Sequence, residues 1–257
     1  MPTSLLATYP SLRGQRVFIT GGGTGIGAAM VEAFAEQGAQ VAFIDFAADE
    51  STALVQKIAA TGQTKPWYQP CDVRDVAQLQ SAIEKAVKDL GDFATLVNNV
   101  ARDDRHTLES VTPEYYEERM AVNLRPAFFA VRGIVPGMQR LGGGSIINFG
   151  STGWQTKGST YPLYAIAKSA VNGLTRGLAG SLGVHRIRVN TISPGWVMTE
   201  RQIKLWLNEA GEADIKRNQS LPDKLQPSDV ARMALFLDSA DGAMCTAQEF
   251  KVDAGWN

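Results

Sequence analysis

Tyr164 and Lys168 stand four positions apart in Tyr164-Ala165-Ile166-Ala167-Lys168, within a segment whose apolar period predicts a helix over 161–182. That spacing sets a phenol and an ammonium one turn apart on the same face. A tyrosine has an ordinary pKa of about 10, and a nearby positive charge favours the ionised form and lowers that value. A phenol tuned in this way can take the proton of an alcohol while the carbon beside it gives up a hydride. Ser151 follows a predicted strand at 145–149, just ahead of that helix, placed to hydrogen-bond the same substrate oxygen. A tyrosine and lysine at this spacing also arise by chance as surface decoration, so the elements around them carry the weight.

Those elements alternate. Apolar, β-branched runs predict strands at 16–19, 40–44, 65–69, 95–97, 145–149, 188–192 and 249–252. Segments of period near 3.6 between them predict helices at 25–37, 49–60, 76–90, 113–140, 161–182 and 228–237. Pro126 and Pro136 predict a break or kink in the fourth helix, since proline lacks the amide hydrogen of a helix interior. The pattern is that of βαβ units on a buried parallel sheet. Seven such strands with no Pro/Ser-rich linker read as one α/β domain over residues 1–257, a Rossmann-type doubly wound fold. The segment 196–226 departs from the rhythm, with Leu205, Trp206 and Leu207 among many charges, and reads as a substrate lid. Gly142–Gly144 reads as a turn between helix and strand.

A second chemical signal follows the first strand, in Thr20-Gly21-Gly22-Gly23-Thr24-Gly25-Ile26-Gly27. Glycines there allow a tight turn, close approach of a pyrophosphate to backbone, and close helix–strand packing, while the helix N-terminus offers amide donors. Gly21, Thr24, Gly25, Ile26 and Gly27 are therefore candidate cofactor-binding residues. Asp45 closes the second strand, where its carboxylate can accept from both adenosine ribose hydroxyls. The negative charge of Asp45 would repel a 2′-phosphate, and neither Gly23, Thr24 nor Phe46 supplies a compensating base, so the expected cofactor is NAD rather than NADP. Phe46 joins the cofactor-binding set by position.

With these motifs in order along the chain, the sequence resembles the short-chain dehydrogenases/reductases over essentially its whole length. The resemblance rests on the 20–27 turn, Asp72-Val73, Asn98-Asn99, Asn123, Ser151, Tyr164/Lys168, and Pro194-Gly195 through Thr199. It implies that Asp72 bonds the adenine amino group, that Val73 offers backbone to the ring, and that Asn98 and Asn99 shape the loop beside the nicotinamide ribose. Asn123 would bend its helix and hold a relay water leading to Lys168. Ser151 would polarise the substrate oxygen, Tyr164 would be the acid/base, and Lys168 would bind the ribose and depress the phenol pKa. Pro194, Gly195, Val197 and Thr199 would seat the nicotinamide. Where the family usually has Ala-Gly after the paired asparagines, this chain has Val100-Ala101, which adds bulk beside the nicotinamide.

A looser resemblance, in Arg102-Asp103-Asp104-Arg105-His106, in 147–151 and in Asp253-Ala254-Gly255-Trp256, is to bacterial aldose 1-dehydrogenases. It implies oxidation of a pentose or hexose to a lactone. The loop after Asn99, with Trp154, Gln155 and Trp196, would then give hydroxyl partners and a flat apolar face for a sugar ring. A deoxy sugar acid, a steroid or a cyclic diol would leave the cofactor motifs unchanged. Reduction of a carrier-bound acyl chain would favour NADP, against Asp45, and a silent NAD-binding regulator would have no need of the intact Asn123, Ser151, Tyr164 and Lys168 set.

The bulk properties agree. A net charge of −1 over 257 residues lacks the basic character of a nucleic-acid or anionic-membrane binder. Cys71 and Cys245 form no C-x-x-C pair, and two histidines, His106 and His185, argue against a metal site or a Ser/His/Asp hydrolase. Residues 1–13 carry only Leu5, Leu6 and Ala7 as an apolar stretch, no window has about 20 apolar residues, and the expected compartment is the cytoplasm. The long helices at 113–140 and 161–182 suit the homotetramer common in the resembled family.

Overall fold

In the first strand, Arg16–Thr20 (β1), side chains alternate between two faces, and both faces are buried. Val17 and Ile19 join one apolar cluster while Phe18 joins the other. Val41 and Phe43 against Ala42 and Ile44 repeat the split in Gln40–Asp45 (β2). A strand buried on both sides needs helices on both sides, which is the doubly wound arrangement. The computed structural model describes residues 6–157 and 160–256, so residues 1–5 of the N-terminal stretch lie outside the described residues.

The remaining strands are β3 (Trp67–Pro70), β4 (Thr95–Asn98), β5 (Gly144–Phe149), β6 (Ile187–Pro194) and β7 (Glu249–Val252). All pair in parallel, in the order β3-β2-β1-β4-β5-β6-β7. On one face lie α1 (Gly25–Glu36), α2 (Ala48–Ala60) and α9 (Pro227–Asp238). On the other lie α3 (Val76–Leu90), α4 (Pro113–Asn123), α5 (Arg125–Leu141) and α6 (Pro162–Leu182). Strand order reverses between β1 and β4, and in such sheets the crevice beyond the strand C-termini at that point is where ligands bind.

Three elements differ from the sequence reading. β3 begins at Trp67 rather than Lys65, because Pro66 has no amide for the ladder. The fourth helix divides at Leu124, whose φ/ψ of −133/−55 leaves the helical region. Pro126 accounts for the division, since it cannot donate to the carbonyl one turn back. Pro136, by contrast, lies inside α5. The segment 196–226 contains two short helices, α7 (Glu200–Trp206), capped by the Thr199 side chain, and α8 (Glu209–Asn218), capped by Asn208. No helix among the described residues is long and apolar enough to cross a membrane.

Candidate active site

The turn after β1 folds back on its neighbour strand, with Gly21 and Gly22 amides donating to Ile44 O at 2.8 and 3.2 Å. Gly21 and Gly25 have φ of +70° and +56°, which L side chains adopt at a cost. A Cβ on Gly27 would lie 1.7 Å from Gly21 O, and one on Gly21 would meet Val100 Cγ2 at 2.9 Å. Val100 therefore takes up space against the turn itself. A Cβ on Gly23 would meet Ser51 Oγ at 2.3 Å and Asp45 Cγ at 2.9 Å. Asp45, 7% exposed, accepts from Gly23 N at 2.8 Å and Ala47 N at 2.9 Å. Each carboxylate oxygen retains a further lone pair toward the cleft it lines.

That cleft, about 900 Å³, runs along the C-terminal strand edge and is lined by Gly21, Thr24, Gly25, Ile26, Asp45 and Phe46 at one end. Asn99, Val100, Pro194, Gly195, Val197 and Thr199 line its middle, with Ser151, Tyr164 and Lys168. Asn99 Nδ2 donates to Gly21 O at 2.8 Å, fixing the β4 and β1 ends together. A bare backbone cradle, a buried carboxylate and a helix N-terminus fit a dinucleotide. Four candidates among the cofactor and proton-relay residues sit otherwise. Gly27 is used in packing beneath the turn, and Asn98 is buried off the cleft, donating to Asn148 Oδ1 at 2.9 Å. Asp72 also stands off the lining, its carboxylate held by Arg74 at 2.6 Å, which keeps it below the usual carboxylate range. Val73 and Cys71, on either side of Asp72, do line it. The fourth is Asn123, treated next.

Asn123 ends α4, and its Oδ1 accepts from Arg102 N at 2.8 Å. Its Nδ2 is buried without a protein partner, as is Asn98 Oδ1. Both residues line a cavity of about 10 Å³ that also touches Lys168, a volume of the order one water requires. Lys168, 2% exposed, donates to Phe149 O at 2.6 Å, and burial pulls its pKa down to about 8. Ser151 Oγ accepts from Gly153 N at 3.0 Å as the cap of the turn after β5. Tyr164 meets the Tyr161 ring edge-on, centroids 5.7 Å apart.

The sequence reading expected Lys168 to lower the phenol pKa. In this structure burial pushes Tyr164 up to about 12, with the nearby Ser151 hydroxyl and Arg105 working downward and Asp103 and Tyr161 upward. Lys168 Nζ lies 5.8 Å from the Tyr164 ring centroid and is directed to the Phe149 carbonyl. Desolvation is the largest influence on the phenol.

The far end of the cleft belongs to the loop after β4 and to α7. Asp103, Arg105, Tyr161, Trp196, Gln202, Leu205 and Trp256 line it. Arg105 lies over the Tyr161 ring at 4.5 Å and the Trp206 ring at 4.6 Å. Asp103 Oδ2 accepts from Gln202 Nε2 at 2.8 Å, and Asp104 Oδ1 from Arg201 at 2.8 Å, so two side-chain links tie the loop to α7. Trp196 Nε1 donates to Gln202 Oε1 at 3.0 Å and its ring meets Trp256. His106 accepts from Leu163 N at 3.1 Å through Nε2 and approaches Asp104 O at 2.9 Å through Nδ1, tying the loop to the start of α6. Trp154 and Gln155 do not reach the cleft. They follow Ser151 in a 3-10 turn that carries them to the side, where Gln155 Nε2 donates to Glu249 at 3.4 Å. Tyr161 and Gln202 were not singled out from sequence, although each stands one helical turn from a residue that was, Tyr164 and Thr199 respectively.

A dinucleotide cradle at the switch point of a parallel sheet, opening onto a buried tyrosine–lysine pair, defines the class as a nucleotide-dependent oxidoreductase. A family profile described as enoyl-(acyl carrier protein) reductase matches residues 21–257. A probable galactose dehydrogenase of Rhizobium meliloti is 47% identical over 247 residues, covering 96% of this chain and 96% of that protein. The D-xylose 1-dehydrogenase of Caulobacter vibrioides is 45% identical over 250 residues, covering 97% and 98%. Among solved structures, a 3-oxoacyl-[acyl-carrier protein] reductase from Brucella melitensis superposes with a TM-score of 0.92 at 30% identity, covering 100% of this chain and 96% of that one. A metagenomic blue fluorescent protein in complex with NADPH superposes at 0.88 with 36% identity, covering 96% and 99%. The chain belongs to the short-chain dehydrogenase/reductase family. It is an oxidoreductase acting on CH–OH groups.

Proposed function

We propose that the protein is an NAD-dependent aldose 1-dehydrogenase, oxidising an aldopentose or aldohexose at the anomeric carbon to the lactone. The observation that carries this reading is the meeting of Ser151, Tyr164 and Lys168 in one cleft whose outer end is built of acids, an arginine, an amide and indoles. Such a lining offers hydrogen bonds to hydroxyls and flat faces to a pyranose ring. The 45–47% identity to sugar dehydrogenases supports it. The dinucleotide, when bound, supplies the hydride acceptor. Ser151 Oγ holds the C1 hydroxyl, the Tyr164 phenolate takes its proton, and C1 keeps the oxygen as a lactone carbonyl. Asn123 and Lys168 carry the proton on from Tyr164 toward solvent through the small polar cavity they share.

Cofactor binding is assigned to Gly21, Thr24, Gly25, Ile26, Asp45, Phe46, Val73, Asn99, Pro194, Gly195, Val197 and Thr199, with NAD favoured by Asp45. Substrate contact is assigned to Ser151, Tyr164 and Trp196. NAD reduction across pentoses, hexoses, deoxy sugars and cyclic alcohols at mildly alkaline pH tests the reading. Neutral aldoses should exceed cyclic alcohols in kcat/KM by roughly tenfold or more, the scale that a pocket built to bond hydroxyls provides. Equal rates with cyclic alcohols would refute it.

The segment 196–226 acts in this proposal as the lid, since α7 is held to the loop after β4 by side chains alone, through Arg201 and Gln202. Its amides should exchange faster in the free enzyme and slow when NAD and sugar are both present, as mass spectrometry of hydrogen exchange would report. Unchanged exchange would remove the lid. A cytoplasmic homotetramer completes the proposal. Exposed apolar side chains on α4, α5 and α6, namely Tyr116, Phe128 and Ile166, support an assembly through those helices.

A further inference from the structure

One charged group faces the reacting phenol without a role in the chemistry above. Asp103 lies on the loop after β4, lines the cleft, and has a side chain only 16% exposed. Its Oδ2 is committed, accepting from Gln202 Nε2 at 2.8 Å with Arg105 Nη1 at 3.5 Å. Among the described residues its Oδ1 has only Arg201 Nη2, at 3.7 Å and beyond hydrogen-bond reach. The negative charge is close enough to Tyr164 to hold the phenol up, against Arg105. A half-buried carboxylate on the cleft lining, with one oxygen left to spare and its orientation set by an amide and by a guanidinium seated on two aromatic rings, is placed to accept from a donor that enters the cleft. Hydroxyls are the donors that a neutral polyol brings.

We propose that Asp103 is the specificity-determining residue of this enzyme, accepting through Oδ1 a ring hydroxyl of the aldose other than the one oxidised. Arg105 and Gln202 are the positioning residues that hold it. The inference rests on the aldose reading of the site and goes beyond it, because it assigns the discrimination among sugars to one carboxylate. Charge-assisted hydrogen bonds are worth roughly twice neutral ones, so an analogue lacking the recognised hydroxyl should lose on the order of tenfold to a hundredfold in kcat/KM with the native enzyme.

The experiment compares the best aldose of the panel with its monodeoxy analogues, using the native enzyme, Asp103→Asn and Asp103→Glu. Steady-state kinetics are one readout. The other is equilibrium binding to the NAD complex in a Tyr164→Phe background, followed by the fluorescence of the cleft tryptophans. Asp103→Asn is expected to raise KM more than it lowers kcat, to leave NAD affinity unchanged, and to erase the penalty for one deoxy position while the others persist. Asp103→Glu should restore part of that penalty. Tyr164 is faced by Asp103 and Arg105 from the loop, Ser151 from the β5 turn, and Tyr161 and Lys168 from its own helix. Removing the Asp103 charge should therefore also move the acid limb of kcat/KM to lower pH.

A merely structural carboxylate would lower activity alike for parent and deoxy sugars. If every deoxy penalty survives in Asp103→Asn, or if the pH limb does not move, the inference falls while the aldose reading stands. If the native enzyme neither oxidises nor binds any aldose, both fall. Melting temperatures of the variants separate these outcomes from misfolding, and if Asp103→Asn misfolds the decision passes to Asp103→Ser, in which survival of every deoxy penalty would equally overturn the inference.

Discussion

Tyr164→Phe should cut kcat for sugar oxidation by roughly 10² to 10⁴, the range that a positioned acid/base contributes, while NAD binding measured by titration stays within a factor of about two, well under the tenfold that 1.4 kcal/mol represents. The two halves of this expectation come from different parts of the structure. The phenol is in contact with the Tyr161 ring and beside Ser151, whereas the dinucleotide cradle is made by the turn after β1, Asp45 and the strand ends around them. Phenylalanine keeps the ring packing and removes only the group that exchanges a proton. Because burial holds the native phenol up to about 12, its reactive base form gains population as pH rises, and oxidation by the native enzyme should climb through the alkaline range. In Tyr164→Phe the residual rate should lack that climb. A variant retaining more than a few per cent of turnover would remove Tyr164 from the chemistry.

Asp45→Ala should lower kcat/KM with NAD by roughly 10- to 100-fold, the equivalent of about 1.5–3 kcal/mol for hydrogen bonds to a charged group, and should narrow or invert the preference over NADP. The native carboxylate both presents acceptors to the cleft and satisfies the Gly23 and Ala47 amides. Alanine ends the repulsion of a 2′-phosphate but also frees those two amides, so NADP gains less than NAD loses. The check is the ratio of the two kcat/KM values in native and variant enzyme. A native enzyme equally good with NADP would show that the charge at position 45 does not select.

The layered sheet and the main machinery were legible in the sequence because they depend on local spacing. Val17, Phe18 and Ile19 announce a strand buried on both faces, the glycines announce the turn, and Tyr164 and Lys168 announce a shared helical face. Side-chain pairing and the path of turns were less legible. Nothing in the local pattern says that Arg74, two residues on, takes the carboxylate of Asp72, or that the turn after Ser151 carries Trp154 and Gln155 away from the cleft. The helices α7 and α8 escaped the reading since both are short, charged and, apart from Gly211 and Ile215, little buried. The phenol's surroundings were illegible for a related reason. Spacing fixes which face Lys168 occupies, but only the packed structure shows that its ammonium is drawn to the Phe149 carbonyl and that desolvation dominates.

The crowding at Gly23 carries a lesson for how such enzymes trade one nucleotide for another. A methyl group there would run into Ser51 and the head of Asp45, so the acid at the end of β2 dictates what its partner across the turn can be. Shortening that acid removes one of the two obstacles, and a side chain at position 23 still needs Ser51, whose Oγ stands nearer at 2.3 Å, to give way. Descendants that switch coenzyme should therefore alter positions 23, 45 and 51 as a linked set, leaving Gly27, wedged against Gly21 O, untouched throughout.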